Sequence, residues 1–393
     1  MRTSRLITIC LLAAPFRSSS AAQQPNLVVS FPVLIADGAS GNLPTSRFTA
    51  RVLVTPGNDA IIVRLMEPDI YVFPADGSGP KRFARDGSGP GEFRRPNAAG
   101  FLEDTLWIGD SGTRRITFFP RYGAGTPTTL PFKGHVTGPF VVGLPLSLTP
   151  GGDAIGVAVT DAGLIAAGAV RRSPLLSVSR DGSRSIDTLG FLDVFSSLHR
   201  IRRLAGVGEV VRDQSFTDRS LVGVSQNGTF LALVAQADVT REGVAPKRVS
   251  LRRVGGAKIV EMPLPFPSDA IPSRKMSQLI DGKLAEINEV ADRIRRTRIE
   301  RAEFVQNLFQ PRDWVPVSDV LVGDDGSMLL RGNDWEGTSV QYALYRASST
   351  TPERFALPRA QSVKAIRGNT IWSLVEQEEG ELRLIRQTLS RRP

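Results

Sequence analysis

A turn followed by a short apolar run recurs six times in this sequence, and that recurrence limits the fold more than any other feature. The turns are Pro56-Gly57-Asn58, Glu103-Asp104, Gly151-Gly152-Asp153, Asn227-Gly228, Asp325-Gly326 and Arg367-Gly368-Asn369. Each leads into a strand-like run: Ala60-Ile61-Ile62-Val63, Thr105-Leu106-Trp107-Ile108, Ala154-Ile155-Gly156-Val157, Thr229-Phe230-Leu231-Ala232, Ser327-Met328-Leu329-Leu330 and Thr370-Ile371-Trp372-Ser373. Gly, Asn and Asp tolerate the backbone angles of tight turns, and runs of this length and β-branched content read as strands, so each unit predicts a hairpin. Counted from Gly57 through Asp104, Gly152, Gly228, Gly326 and Gly368, the steps are 47, 48, 76, 98 and 42 residues. Three of these steps match the roughly 40–50 residues of a four-stranded propeller blade, and the two long ones demand insertions.

Third strands follow: Ile70 to Phe73, Arg115 to Phe119, Leu175 to Val178, Arg248 to Leu251, Tyr342 to Tyr345 and Leu382 to Ile385. The last unit runs out of chain after its third strand, whereas the early run Leu27-Val28-Val29-Ser30-Phe31 stands ahead of the first. Pairing the two ends would remove the open edges that a circular array of sheets otherwise exposes. The expected fold is therefore all-β: a six-bladed β-propeller of four-stranded blades, with the N-terminal strand closing the last blade. One long step is explained by residues 273–309, where Ile280, Leu284, Ile287, Ala291, Ile294, Arg298, Arg301, Val305 and Leu308 step at three and four residues. That stripe predicts a helical insertion between blades 4 and 5, bracketed by Pro267, Pro272 and Pro311. Phe191 to Arg203 is a shorter candidate excursion in the other long step. At 393 residues, one ring over 23–393 uses the whole chain beyond its leader.

One blade carries a more specific pattern. Gly87-Ser88-Gly89-Pro90-Gly91-Glu92-Phe93, followed by Asp104-Thr105-Leu106-Trp107-Ile108-Gly109-Asp110-Ser111-Gly112-Thr113-Arg114-Arg115-Ile116, resembles the NHL-type repeat of six-bladed, TolB-like β-propellers. The match covers residues 76–119, and the other blades share only the general pattern. The resemblance implies a fold more than an activity, because such propellers include sensors, scaffolds and some enzymes. In the motif, Gly87, Gly89 and Gly91 are expected at positive φ, Phe93 between adjacent sheets, Asp110 as a cap on its turn and Arg115 paired with an acid. The glycines do not have P-loop spacing, and no Lys-Ser/Thr follows them.

The first 22 residues read as an export signal: Arg2 and Arg5, an apolar stretch from Leu6 to Phe16, then Ser20-Ala21-Ala22 as the cleavage site. That stretch is too short to span a membrane, which takes about 20 apolar residues, and no other segment qualifies. Cys10 is the single cysteine and lies inside the leader, so the mature chain uses no disulfide. A secreted, periplasmic protein is expected.

With only His135 and His199, a His-built metal centre is excluded, and His135 reads as a loop residue. Net charge is +10, but the arginines are dispersed and no nucleic-acid motif is present, so no nucleic-acid partner is expected. The insertion alternates both signs of charge, the pattern of a solvated helix face. Asn227-Gly228-Thr229 matches a glycosylation sequon but reads better as a type I′ hairpin turn. The function expected is a binding or scaffold module, monomeric and without cofactor, taking a protein, peptide or glycan at the channel mouth and blade loops. Trp314 beside Asp313 and Trp335 beside Asp334 are the candidate contacts. The alternative is a calcium-dependent hydrolase of lactones or esters, since hard carboxylate ligands suit calcium. Its candidate channel carboxylates are Glu92, Asp213, Asp218, Asp313 and Asp319.

Overall fold

The computed structural model describes residues 26–37, 43, 50–160, 170–194, 198–201, 210–213, 218–236, 247–268, 270–293, 298–306, 308, 310–333, 337–347, 349–377 and 381–392. Six antiparallel sheets follow one another along the chain. Blade 1 is Ala50–Val54, Ala60–Arg64, Ile70–Phe73 and Lys81–Arg82; blade 2 is Pro96–Leu102, Thr105–Asp110, Arg115–Phe119 and Thr128–Pro131. Blade 3 is Ser147–Leu148, Ala154–Val157, Arg172–Val178 and Ser185–Asp193; blade 4 is Leu221–Val224, Phe230–Ala235, Arg248–Arg253 and Ile259–Met262. Blade 5 is Val317–Val322, Met328–Gly332, Ser339–Tyr345 and Glu353–Pro358. Blade 6 takes Gln361–Arg367, Thr370–Glu376 and Leu382–Arg391 from the end of the chain and its outer strand from the beginning. Leu27–Val29 pairs with Leu389 to Arg391, and Val33–Asp37 pairs with Arg383 to Arg386, so both chain ends lie in one sheet.

Six seams between neighbouring blades, and not one central core, bury the apolar residues. Blade 1 shows how: Ala60 and Ile62 face Trp372 and Leu374 of blade 6, whereas Ile61 and Val63 face Leu106 and Ile108 of blade 2. Side chains alternate across a strand, and here both faces meet a sheet. That is why the second strands read as unbroken apolar runs instead of alternating ones. Trp107 with Leu148 and Val178 fills the seam of blades 2 and 3, Leu175 with Leu231 that of blades 3 and 4, Val249 with Tyr345 that of blades 4 and 5, and Tyr342 with Ile371 that of blades 5 and 6.

The repeat seen in the sequence is a repeat of backbone conformation. In each blade the turn after the first strand holds one residue at positive φ: Asn58 (70°), Glu103 (55°), Gly152 (86°), Gly228 (68°), Gly326 (80°) and Gly368 (55°). The Asn227-Gly228 turn is not type I′, which needs both residues left-handed. Only Gly228 is, because the turn is four residues long: Gly228 N–H donates to Ser225 O and Ser225 N–H to Phe230 O.

The insertion leaves the ring between blades 4 and 5, but its helix is not continuous. Helix α1 is Ser273–Arg293 and helix α2 is Arg301–Val305. Between them Asn288 of α1 grips the returning chain, its Oδ1 accepting Ile299 N–H (2.8 Å) and its Nδ2 donating to Ile299 O (3.0 Å). The apolar stripe is buried in a core made within the insertion, by Met276, Ile280, Ile299, Phe304 and Leu308. Its neck is a short ladder in which Ala270 bridges Asp313 and Ile271 N–H donates to Arg312 O.

Two further excursions are hairpins. Leu198–Ile201 pairs with Val210–Asp213 between blades 3 and 4. His135–Thr137 pairs with Phe140–Val142 between blades 2 and 3, which moves His135 from a loop to a strand. The leader, residues 1–22, lies outside the described residues. No described helix is long and apolar enough to cross a membrane.

Candidate functional site

The first strands of the blades surround a channel. A cavity of about 240 Å³ lies along it, lined by Arg51, Val52, Leu146, Val222, Gln226, Asp319, Lys364 and neighbouring apolar residues of blades 1, 3, 4, 5 and 6.

One end of this channel is stoppered by the first turn of blade 4. Gln226 Oε1 accepts Val54 N–H of blade 1 at 2.7 Å, and Gln226 O accepts Phe101 N–H of blade 2, also at 2.7 Å. Asn227 N–H donates to Asp324 Oδ1 of blade 5 at 3.0 Å. Gly228 lies so close to blade 3 that a Cβ there would come within 1.6 Å of Leu148 O. All these partners lie at or just beyond the final residues of the first strands, so a single turn ties five blades together at that end. Arg367 of blade 6 completes the ring by donating to Thr55 O of blade 1.

Three charged residues of the first strands line the cavity: Arg51, Asp319 and Lys364. Two of them sit at bulges. The ladder register shifts between Val363 and Ala365, passing over Lys364, and again between Val317 and Asp319. A bulge re-aims the side chain beside it. Burial pushes the Asp319 carboxyl above the ordinary carboxylate range, and the nearby charges of Lys364 and Arg331 pull it back only in part. Arg51 differs in kind: burial brings its guanidinium down to about 10, with no acid acting on it. It has no hydrogen-bond or ion-pair partner among the described residues. Arg51 is half-buried and lines the cavity, so its guanidinium lacks a counter-charge where a ligand in the channel could supply one.

The sequence-derived candidates fall in different places. Of the five carboxylates, Asp319 alone lines the channel cavity among the described side chains. Glu92 lies in the connection from blade 1 to blade 2, where its carboxylate accepts Gly89 N–H (2.7 Å) and Arg85 Nε (2.9 Å), contacts that lower its pKa. Asp218 is buried just ahead of blade 4, and Asp213 lies at the end of the Val210–Asp213 strand, its side chain outside the described residues. No three His, Cys, Asp or Glu side chains converge on a metal-sized site among the described residues. Asp313 and Trp314 belong to the neck of the insertion: Asp313 faces Lys247 Nζ at 3.9 Å, and Trp314 O accepts Ser268 Oγ–H at 2.8 Å. Asp334 and Trp335 lie outside the described residues.

The glycine-rich motif is a clip between blades 1 and 2. Arg115 does not pair with an acid; its guanidinium donates to the carbonyls of Ser88, Gly89 (2.5 Å) and Glu92 (2.7 Å), because the loop curls its carbonyls around it. Gly87 and Gly91 have positive φ (151° and 77°) and Gly89 does not. At Gly87 and Gly89 the requirement is space, since a Cβ would come within 2.1 and 3.0 Å of Glu92 Oε2. Phe93 is buried in the blade 1–2 seam. Asp110, wholly buried, accepts Arg94 N–H, Arg95 N–H, Gly112 N–H and Thr113 Oγ1–H at 2.8–2.9 Å.

Sequence reasoning missed Arg51, Lys364 and Gln226. The available signal was a lone charge within an apolar first strand, as in Ala50-Arg51-Val52 and Val363-Lys364-Ala365. No family model matches the chain, and no curated protein matches it. Among solved structures, a candidate exported protein of Bacteroides fragilis is 12% identical, covering 94% of this chain and 96% of that one, with a TM-score of 0.44. Virginiamycin B lyase of Staphylococcus aureus is 10% identical over 92% and 99%, with a TM-score of 0.41. An aldose sugar dehydrogenase of Streptomyces coelicolor is 13% identical over 93% and 99%, with a TM-score of 0.39. Likenesses this distant carry no argument about activity. Six four-stranded sheets in a ring, a shared first turn and closure by both chain ends make this chain a six-bladed β-propeller, resembling the NHL-repeat, TolB-like type through its second blade.

Proposed function

We propose that the protein is a binding module whose ligand enters the channel from the end where the first strands begin. The observation that carries this reading is that the blade 4 turn ties the first strands together at one end of the channel, while Arg51, Asp319 and Lys364 line its cavity from rigid strands. Sites on strands hold their geometry better than sites on loops, and a concave cavity with a few convergent polar groups suits a small ligand or the end of a larger one. The neck residues Asp313 and Trp314 are a secondary contact for a larger peptide or glycan. The leader-like first 22 residues support export of this module, and an intact mass that retains Met1 would remove that part.

The test is a thermal-shift panel of short peptides, oligosaccharides and small acids, run on the wild-type chain and on Val222→Trp, which fills the channel. Ligands that raise the wild-type melting temperature should lose their effect in the filled variant. Shifts of equal size in both would place the site elsewhere and overturn the reading.

A further inference from the structure

We infer that Arg51 is the receptor for an oxyanion, a carboxylate or a phosphate, carried by the ligand that the channel takes. This rests on the channel being the binding site. Arg51 is the second residue of blade 1's first strand, so an incoming group meets it before the stopper formed by Gln226 and Asn227 at the far end. The acid in the same cavity, Asp319, is engaged by the charges of Lys364 and Arg331, and no acid acts on Arg51. Among the described lining residues, two cations, Arg51 and Lys364, stand beside one acid, Asp319. A cationic ligand would be repelled by Arg51, and a neutral one would leave its guanidinium without a counter-charge. A carboxylate or phosphate supplies the missing counter-charge and two acceptor oxygens for the guanidinium fork. Water exclusion strengthens such a pair, because the effective dielectric inside the protein is far below that of water.

The experiment uses the full chain and three probes of similar size: N-acetylglycine, phenyl phosphate and the neutral N-acetylglycinamide. Binding is measured by titration calorimetry or ligand-detected NMR to wild type, Arg51→Lys, Arg51→Met and Val222→Trp. At least one anionic probe should bind wild type more tightly than the neutral amide, and Arg51→Met should weaken it by about tenfold to a hundredfold. Arg51→Lys, which keeps the charge but not the fork, should fall between. Whichever anion binds better distinguishes a carboxylate source from a phosphate source. Arg51→Met should melt close to wild type, since Arg51 makes no hydrogen bond or ion pair with another described side chain, and this separates lost binding from lost folding. Equal binding of neutral and anionic probes in a channel that Val222→Trp blocks would overturn the inference and leave the channel reading standing. Failure of both anions to bind wild type at millimolar concentration, or unchanged anion binding in Arg51→Met, would also overturn it.

Discussion

Gln226 of blade 4 accepts the backbone N–H of Val54 of blade 1 at 2.7 Å, a hydrogen bond between two blades that are not neighbours in the ring. Replacing the amide with Gln226→Leu leaves a buried N–H without a partner, a loss of about 1–3 kcal/mol. Chemical denaturation should show the lower midpoint. An unchanged midpoint would mean that the turn does not tie the ring together.

Gly228 and Gly368 both sit at positive φ, yet they should respond differently to alanine. At Gly368 (φ 55°) nothing lies within 4 Å of a new Cβ, so Gly368→Ala should cost only the left-handed conformation, about 1–2 kcal/mol. At Gly228 (φ 68°) the Cβ would collide with Leu148 O, adding overpacking for a total of about 3 kcal/mol or more. The paired denaturation midpoints check the ranking.

Asp110 and Asp319 should give pH dependences of opposite sign. Four hydrogen bonds outweigh burial and hold the Asp110 carboxyl below its ordinary range. Its contribution is therefore present above the unfolded value of about 3.9 and is lost as pH falls through the native value. Asp110→Asn should destabilise by about 2–3 kcal/mol at neutral pH and progressively less below about pH 4. Asp319 is raised by burial, so its native form holds a proton to higher pH than the unfolded chain, and stability falls as pH rises through that window. Asp319→Asn should therefore gain stability relative to wild type between about pH 4 and neutrality. Stability curves at several pH values test both signs.

Much of the ring was legible in the sequence because its punctuation is chemical. Gly152, Gly228, Gly326 and Gly368 mark left-handed turns, and Asn58 and Glu103 take the same conformation in the remaining blades. The strand at Leu27 could be assigned to the last blade because that blade lacked a partner for its third strand. The site was less legible. Arg51 and Lys364 look like surface charges until the ring places them on the channel, and the register shift at Lys364 leaves no mark in composition. The break in the helical insertion was also hidden, since the stripe continues through residues 273–309 and only the Asn288 contact with Ile299 shows the chain turning back.

The insertion should be separable from the ring, because its apolar residues are buried against one another. Replacing residues 271–312 with a short Gly-Ser linker between the ends of the neck should leave the propeller folded, with a melting temperature within a few degrees of wild type. Unfolding on removal would show that the blades depend on it.

The central claim is that ligand occupies the channel, and hydrogen–deuterium exchange with and without a melting-panel hit tests it most directly. The free edges of the first strands face the cavity, so a ligand there should slow exchange around Arg51, Val222, Asp319 and Lys364. Protection confined to the insertion neck around Asp313, or to the outer strands of the blades, with the first strands unchanged, would contradict the account.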